Sequence, residues 1–298
     1  MATLKDLRRR IRATKSMQQI FKAMEMVAAA KFRRAQGRAQ AASPYAQKIT
    51  EMLGNLAGAA SELEHPLFKV RPVKTTALVV ISADRGFAGT YNTSILRVAE
   101  HRIREAPPGS IKLVLVGRKA RDYARRRGFP VLSAHTDLPG EASLDLARKL
   151  VQELTERFVS GEVDRVELLY THFVNALVRK IQSQVFLPVG AEPIPAAAPP
   201  KSGAQETKTS ERTSDPIFEP DAETIFAELI PRYATATLYA AMADALASEH
   251  SARMVAMGSA RKNAGELVDE LTLKRNRLRQ AAITKEIAEL VGGAEALK

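Results

Sequence analysis

The sequence predicts an α/β fold carrying two long terminal helices, and three observations predict it. Apolar residues recur every three or four positions through the first 57 residues and again from Asp221 almost to the end. Between these stretches, short β-branched runs alternate with helical segments of 10 to 17 residues. The chain has 298 residues with a hydrophobic fraction of 45%, yet aromatics make up only 5% and Trp is absent. That composition suits thin, Ala-rich helix packing better than an all-β core.

At the N-terminus, Leu4, Leu7, Ile11, Met17, Ile20, Met24 and Val27 step by three or four, with a gap at Thr14. Thr3 and Asp6 have capping-box spacing. No Gly precedes Gly37 and no Pro precedes Pro44. Ser43-Pro44 reads as an N-cap or a kink, after which Ile49, Met52, Leu53 and Leu56 resume the pattern. Residues 1–57 are therefore expected to be one coiled-coil helix, roughly 80 Å long at the α-helical rise.

The central segment, 74–190, reads differently. Strands are expected at Thr75–Ser82, Ile111–Val116, Phe129–Leu132, Val163–Tyr170 and Lys180–Phe186. Helices are expected at Asn92–Glu105, Arg118–Arg127 and Ser143–Val159. Intervening helices imply parallel crossovers and a Rossmann-like sheet; the last two strands have no room for a helix between them and must be antiparallel. Residues 193–216, rich in Pro, Ala, Ser and Thr without apolar periodicity, read as a flexible linker.

In the C-terminal segment, 221–298, Leu229, Tyr233, Ala236, Ala240, Ala243, Ala247, His250, Met254 and Met257 alternate steps of four and three. Ala264, Val268, Leu271, Leu278 and Ala282 continue the register. A period near 3.5 signifies a left-handed coiled coil, and the many seam alanines require a closely approaching partner. Pro231 and Gly258 are expected to bend this helix rather than end it. The simplest partner is the N-terminal helix, so the two termini are expected to form an antiparallel two-helix coiled coil. The C-terminal helix is the longer, and Ile283 to Lys298, with Ile283, Ile287, Leu290 and Val291 on one face, is left for another molecule to cover.

Lys and Arg number 45 against 33 Asp and Glu, a net charge of +12. Residues 1–38 hold eleven of the cations against only Asp6 and Glu25, so nine of the twelve net charges sit there. Arg8, Arg9, Arg10, Arg12, Lys15, Lys31, Arg33 and Arg34 on one helix, with Lys274, Arg275, Arg277 and Arg279 on the other, repel one another unless an acidic surround or a polyanion neutralises them. The Arg-rich start has no apolar h-region and runs straight into helix, so it reads as mature sequence. No apolar run is long enough to span a bilayer.

Chemistry is sparse. The absence of Cys excludes disulfides, thiol catalysis and thiolate metal sites. No phosphate-loop motif occurs, and Gly86-Phe87-Ala88-Gly89 is not a dinucleotide fingerprint. His65, His101, His135, His172 and His250 never fall at metal-ligand spacing, and His250 lies in the coiled-coil register. Asp84 and Arg85 follow the first strand, where an α/β domain places its site, but no nucleophile or second carboxylate stands beside them; local hydrogen bonding is the expectation. Met17, Met24, Met26, Met254 and Met257 are expected in the core. From these features no catalytic residue, cofactor site or metal site is expected. They describe a basic coiled-coil assembly protein, with a nucleic-acid binder and an α/β enzyme as alternatives. The scarcity of aromatics and of any recognised binding module weighs against nucleic acid.

Ile20 to Gln36 (IFKAMEMVAAAKFRRAQ) and Ala247 to Lys298 closely resemble the two ends of the gamma subunit of F-type, proton-translocating ATP synthases. Ser82 to Asn92 (SADRGFAGTYN) looks like that family's first strand and turn, and Ile283 to Leu290 (ITKEIAEL) with Gly293-Ala294 is its most specific stretch. Phe21, Phe32, Arg275 and Gly258 depart from the family pattern, and the Cys-bearing regulatory insertion of chloroplast relatives is absent. The resemblance implies a central-stalk rotor shaft, itself non-catalytic, turning inside the alpha/beta hexamer. Its α/β domain would rest on the c-ring and bind the epsilon subunit, without nucleic acid. It also implies a peripheral position on the cytoplasmic face of a bacterial inner membrane. Lys22, Met24 and Lys31 match the part facing acidic beta-subunit loops. Arg279, Gln280, Thr284 and Glu286 match contacts of the upper C-terminal helix, and Ile287 and Leu290 fall in the tip that turns in an apolar bearing.

Overall fold

The computed structural model describes residues 3–59, 65–175, 177–190 and 222–295. In chain order the elements are α1 (Leu4–Ala59), β1 (Thr76–Ile81), α2 (Tyr91–Glu105), β2 (Ile111–Val116), α3 (Arg118–Arg127), β3 (Val131–His135), α4 (Leu144–Val159), β4 (Arg165–Phe173), β5 (Arg179–Leu187) and α5 (Ala222–Glu295). The linker expected at 193–216 lies outside the described residues. The chain divides into two compact units: residues 1–30 with 253–298, and residues 31–252. Each long helix contributes a segment to both.

The larger unit is built on a five-stranded sheet in the order β3-β2-β1-β4-β5. β1 pairs in parallel with β2 and β4, β2 pairs in parallel with β3, and β5 is antiparallel to β4. Alternation along β1 decides the layers. Leu78 and Val80 face α2 and α3, burying Ile95, Leu96, Ala99, Ala120 and Ala124. Ala77, Val79 and Ile81 face α4 and the first part of α5, burying Leu150, Leu154, Phe158, Ile230, Leu238 and Met242. In this unit α5 therefore buries a second face beside its expected seam: Ala234, Leu238, Ala241 and Ala245 pack on the sheet side while Ala236, Ala243, Ala247 and His250 are buried as well.

Glycines at positive φ delimit α3. Gly117 (φ 100°) precedes it, and a Cβ there would sit 2.4 Å from the Ser82 carbonyl oxygen. Gly128 (φ 68°) ends it in the left-handed conformation. The third strand lies later than the Phe129–Leu132 expected. The Phe129 N–H donates to the Ala124 carbonyl at 3.1 Å, tying Phe129 to the helix end, and Pro130 contributes only its carbonyl, which accepts from the Leu113 N–H at 2.9 Å. The strand starts at Val131 and continues through Ser133 and His135, residues whose polarity hid it. The β4–β5 hairpin closes on Asn175, whose Oδ1 accepts from the backbone N–H groups of Leu177 (2.9 Å) and Val178 (2.8 Å).

The smaller unit is a helix pair. α1 starts with the expected capping box: the Asp6 N–H donates to Thr3 Oγ1 (3.2 Å) and the Thr3 N–H to Asp6 Oδ2 (3.3 Å). Leu7 and Ile11 of α1 pack with Val268 and Leu271 of α5. Further along α1, Gln18 lies beside Gly265 and Glu25 beside Gly258. Rising numbers on one helix meet falling numbers on the other, so the pair is antiparallel. This register carries α5 past the start of α1 at Leu4 before it reaches Ile283.

The seam of α1 differs from the apolar stripe read from the sequence. Over residues 4–30 the buried positions are Leu7, Ile11, Thr14 and Ala28, and Gln18, Phe21 and Glu25 between them are half-buried. Thr14, the apparent gap, is a seam residue whose hydroxyl donates to the Arg10 carbonyl at 3.0 Å. Met17, Ile20, Met26 and Val27, expected to be buried, are 46%, 56%, 58% and 57% exposed. Both stripes obey steps of three and four. The polar one faces α5 because Gly258 and Gly265 open room there for Glu25 and Gln18.

Candidate functional site

The carboxyl ends of β1 and β2 are where a doubly wound domain binds phosphates, at the N-terminus of the following helix. Here those donors are occupied from within. The Arg118 N–H donates to Asp84 Oδ1 (2.7 Å), the Lys119 N–H to the Ala83 carbonyl (3.1 Å) and the Ala120 N–H to Ser82 Oγ (3.0 Å). The second Asp84 oxygen accepts from the Leu138 N–H at 2.6 Å. Asp84 thus caps α3 and ties down the loop after β3, as its sequence context suggested. Arg85 and the strained Phe87 (φ 61°, 69% exposed) project from the same turn.

The five histidines are dispersed. His65 Nδ1 accepts from the Leu67 N–H (3.2 Å), His101 pairs with Glu105 (2.7 Å), His135 with Glu153 (3.0 Å) and His172 with Asp244 (2.5 Å), while His250 is buried on α5. No three His, Asp or Glu side chains converge on a metal-sized site among the described residues.

What the molecule presents instead is surface on the helix pair. Lys22 is exposed and Met24 half-buried, next to the exposed Met17, Ile20, Met26 and Val27. Arg8, Arg9, Arg10, Arg12 and Lys15 are exposed on the same helix. Arg279, Gln280, Thr284 and Glu286 are exposed on α5, with the Thr284 hydroxyl donating to the Gln280 carbonyl at 2.9 Å. Ile283, Ile287, Leu290 and Val291 are 48%, 55%, 74% and 58% exposed, an apolar face at the overhanging end of α5. Lys31 belongs to the larger unit and lines a cleft there with Arg34 and Arg38, so the predicted contact residues are split between the two units.

Two features escaped the sequence reading. Glu25 Oε2 accepts from Arg261 Nε at 2.8 Å, a link between the paired helices that Gly258 makes room for. Asp244 on α5 accepts from the Phe173 N–H (2.9 Å) besides meeting His172, joining α5 to the end of β4; burial pushes its carboxyl above the usual range, against the lowering effect of those two hydrogen bonds. Only the Gly at an inward helical position hinted at the first, and nothing in the local sequence at the second.

Residues 3–297 match the family model described as ATP synthase. The chain is 45% identical over 301 residues to the ATP synthase gamma chain of Desulforamulus reducens, and 44% identical over 298 residues to that of Moorella thermoacetica; in each case all of both chains is covered. A chain of the mitochondrial ATP synthase central stalk and c-ring of Tetrahymena thermophila aligns at TM-score 0.61 with 24% identity, covering 81% of this chain and 99% of that one. A chain of the Euglena gracilis mitochondrial ATP synthase aligns at TM-score 0.66 with 17% identity, covering 99% and 94%. These structural matches speak for the fold, and the full-length sequence matches for kinship: the chain belongs to the ATP synthase gamma-chain family.

Proposed function

We propose that this chain is the central-stalk shaft of an F-type ATP synthase, coupling rotation of a membrane c-ring driven by proton flow to ATP synthesis in an alpha/beta catalytic hexamer. The observation that carries the reading is the antiparallel helix pair with an unpartnered apolar end at Ile283, Ile287, Leu290 and Val291. A shaft needs continuous helices to transmit torque and an apolar tip that turns without strong directional bonds. The same chain catalyses nothing itself. Its α/β unit contacts the c-ring and an epsilon subunit, and the protein is held at the cytoplasmic face of a bacterial inner membrane through the complex. None of the described helices is long and apolar enough to cross a membrane.

In this reading Lys22, Met24 and Lys31 face acidic loops of the beta subunits. Arg279, Gln280, Thr284 and Glu286 touch the upper sleeve, and Ile287 and Leu290 sit in the bearing. Affinity purification from membranes followed by mass spectrometry tests the assembly: alpha, beta, epsilon and c subunits are expected, and their absence sinks the reading. Met24→Lys tests the placement. It adds a cation opposite carboxylates, tightens a contact that must slide, and is expected to impair ATP-driven proton pumping; unchanged pumping removes Met24 from that surface.

A further inference from the structure

We propose that the larger unit holds a binding site for a phosphate-class dianion in the cleft between α1 and the loop that leads into α4. The cleft has a volume of about 280 Å³ and is lined on one side by Lys31, Arg34 and Arg38 of α1 and on the other by Gly140 and Glu141. Spacings of three and four residues put the three cations on one helical face. Glu141 pairs with Arg38. Lys31 and Arg34 have no acidic partner among the described residues, so two positive charges remain directed at one concavity. Lys31 Nζ lies 3.5 Å from the place a Cβ on Gly140 would take, so the absence of a side chain there leaves space beside the ammonium group. Ala35, Pro139, Ala142, Ala243 and Leu246 line the rest of the cleft and supply no competing carboxylate.

The chemistry selects the ligand class. Two unpaired cations and a third shared with Glu141 match a small doubly charged oxyanion better than a single carboxylate, since an Arg fork and an ammonium donate to several oxygens at once. The site is separate from the occupied phosphate corner at α3; it draws on Lys31, which the shaft reading also turns toward acidic beta-subunit loops, so the anion and those loops compete for that ammonium group.

The test uses the full chain and inorganic phosphate. Titration followed by thermal unfolding and by phosphorus NMR line width is expected to show a saturable response that potassium chloride at equal ionic strength does not reproduce. The double variant Lys31→Ala/Arg34→Ala weakens it by about tenfold or more. Gly140 lies outside the positive-φ region and accepts a side chain, so Gly140→Asp places a carboxylate against Lys31 and abolishes the response while keeping the fold. Lys262→Ala, on the exposed face of α5 in the other unit, leaves it intact. Parallel titrations with ADP and ATP separate a nucleotide phosphate from the free ion. A response equal to that of chloride, or one unchanged in both the double variant and Gly140→Asp, overturns the site.

Discussion

Asp84 shows how a residue at a typical active-site position serves structure instead. Its two oxygens accept from Arg118 and Leu138. Asp84→Ala leaves both N–H groups without their acceptor and is expected to cost about 1–3 kcal/mol in urea unfolding, with Asp84→Asn losing less. Two other carboxylates respond to pH with opposite sign. Asp244 is raised by burial, so the folded chain holds its proton more tightly than the unfolded chain. Its contribution to stability therefore falls as pH rises from the ordinary value of 3.8 through the folded value. Asp164 accepts from the backbone N–H groups of Thr75 and Lys74, which lower it; its contribution is full above 3.8 and is lost as pH falls through the folded value. Unfolding free energies measured from pH 3 to 7 should show Asp244→Asn gaining on wild type as pH rises, and Asp164→Asn losing ground over the acidic part of that range.

Between elements, the helix pair depends on small residues opposite polar ones. A Cβ on Gly258 would stand 3.2 Å from Oε1 of Glu25, whose other oxygen, Oε2, accepts from Arg261 Nε. Gly258→Ala gains helix propensity of about 1 kcal/mol but crowds that carboxylate. The gain should be reduced in the wild-type background and recovered in Glu25→Ala, so a double-mutant cycle by thermal unfolding is expected to be non-additive. Ile11→Ala removes a buried side chain from the Leu7, Ile11, Val268 and Leu271 cluster and should destabilise the pair by about 2 kcal/mol or more, measured by loss of helicity on heating. The space beside the glycine at 258 is used by an ion pair that joins the two helices.

For the whole molecule, charge and apolar overhang predict how assembly behaves. Nine of the net positive charges lie in the first 38 residues, so in the proposed shaft association with a hexamer whose facing loops are acidic should slow steeply as salt rises, read as a binding rate across an ionic-strength series. The overhang predicts a separable loss. In the proposed shaft, truncation before Ile283 removes the exposed apolar face of Ile283, Ile287, Leu290 and Val291, so it should leave the melting of the α/β unit unchanged while weakening retention by an alpha/beta hexamer in gel filtration.

Much of this was legible locally. β2 and α3 were bounded correctly because glycines at 117 and 128 punctuate them, and the antiparallel β4–β5 pair followed from the short connection. The two long helices followed from apolar periodicity that resumes after each interruption. Periodicity alone did not say which stripe of α1 meets α5, since Leu7-Ile11-Thr14 and Met17-Ile20-Met24 obey the same steps. That choice rests on the fit of Glu25 and Gln18 over Gly258 and Gly265, a contact between residues more than two hundred positions apart. The second buried face of α5, the Asp244–His172 link and the cationic cleft at Lys31 likewise arise only when distant segments pack together. The sequence alone determined the elements, the charge and the family resemblance, because these are properties of neighbours along the chain. The tertiary structure decided which faces are covered and which remain open, because burial is a property of neighbours in space.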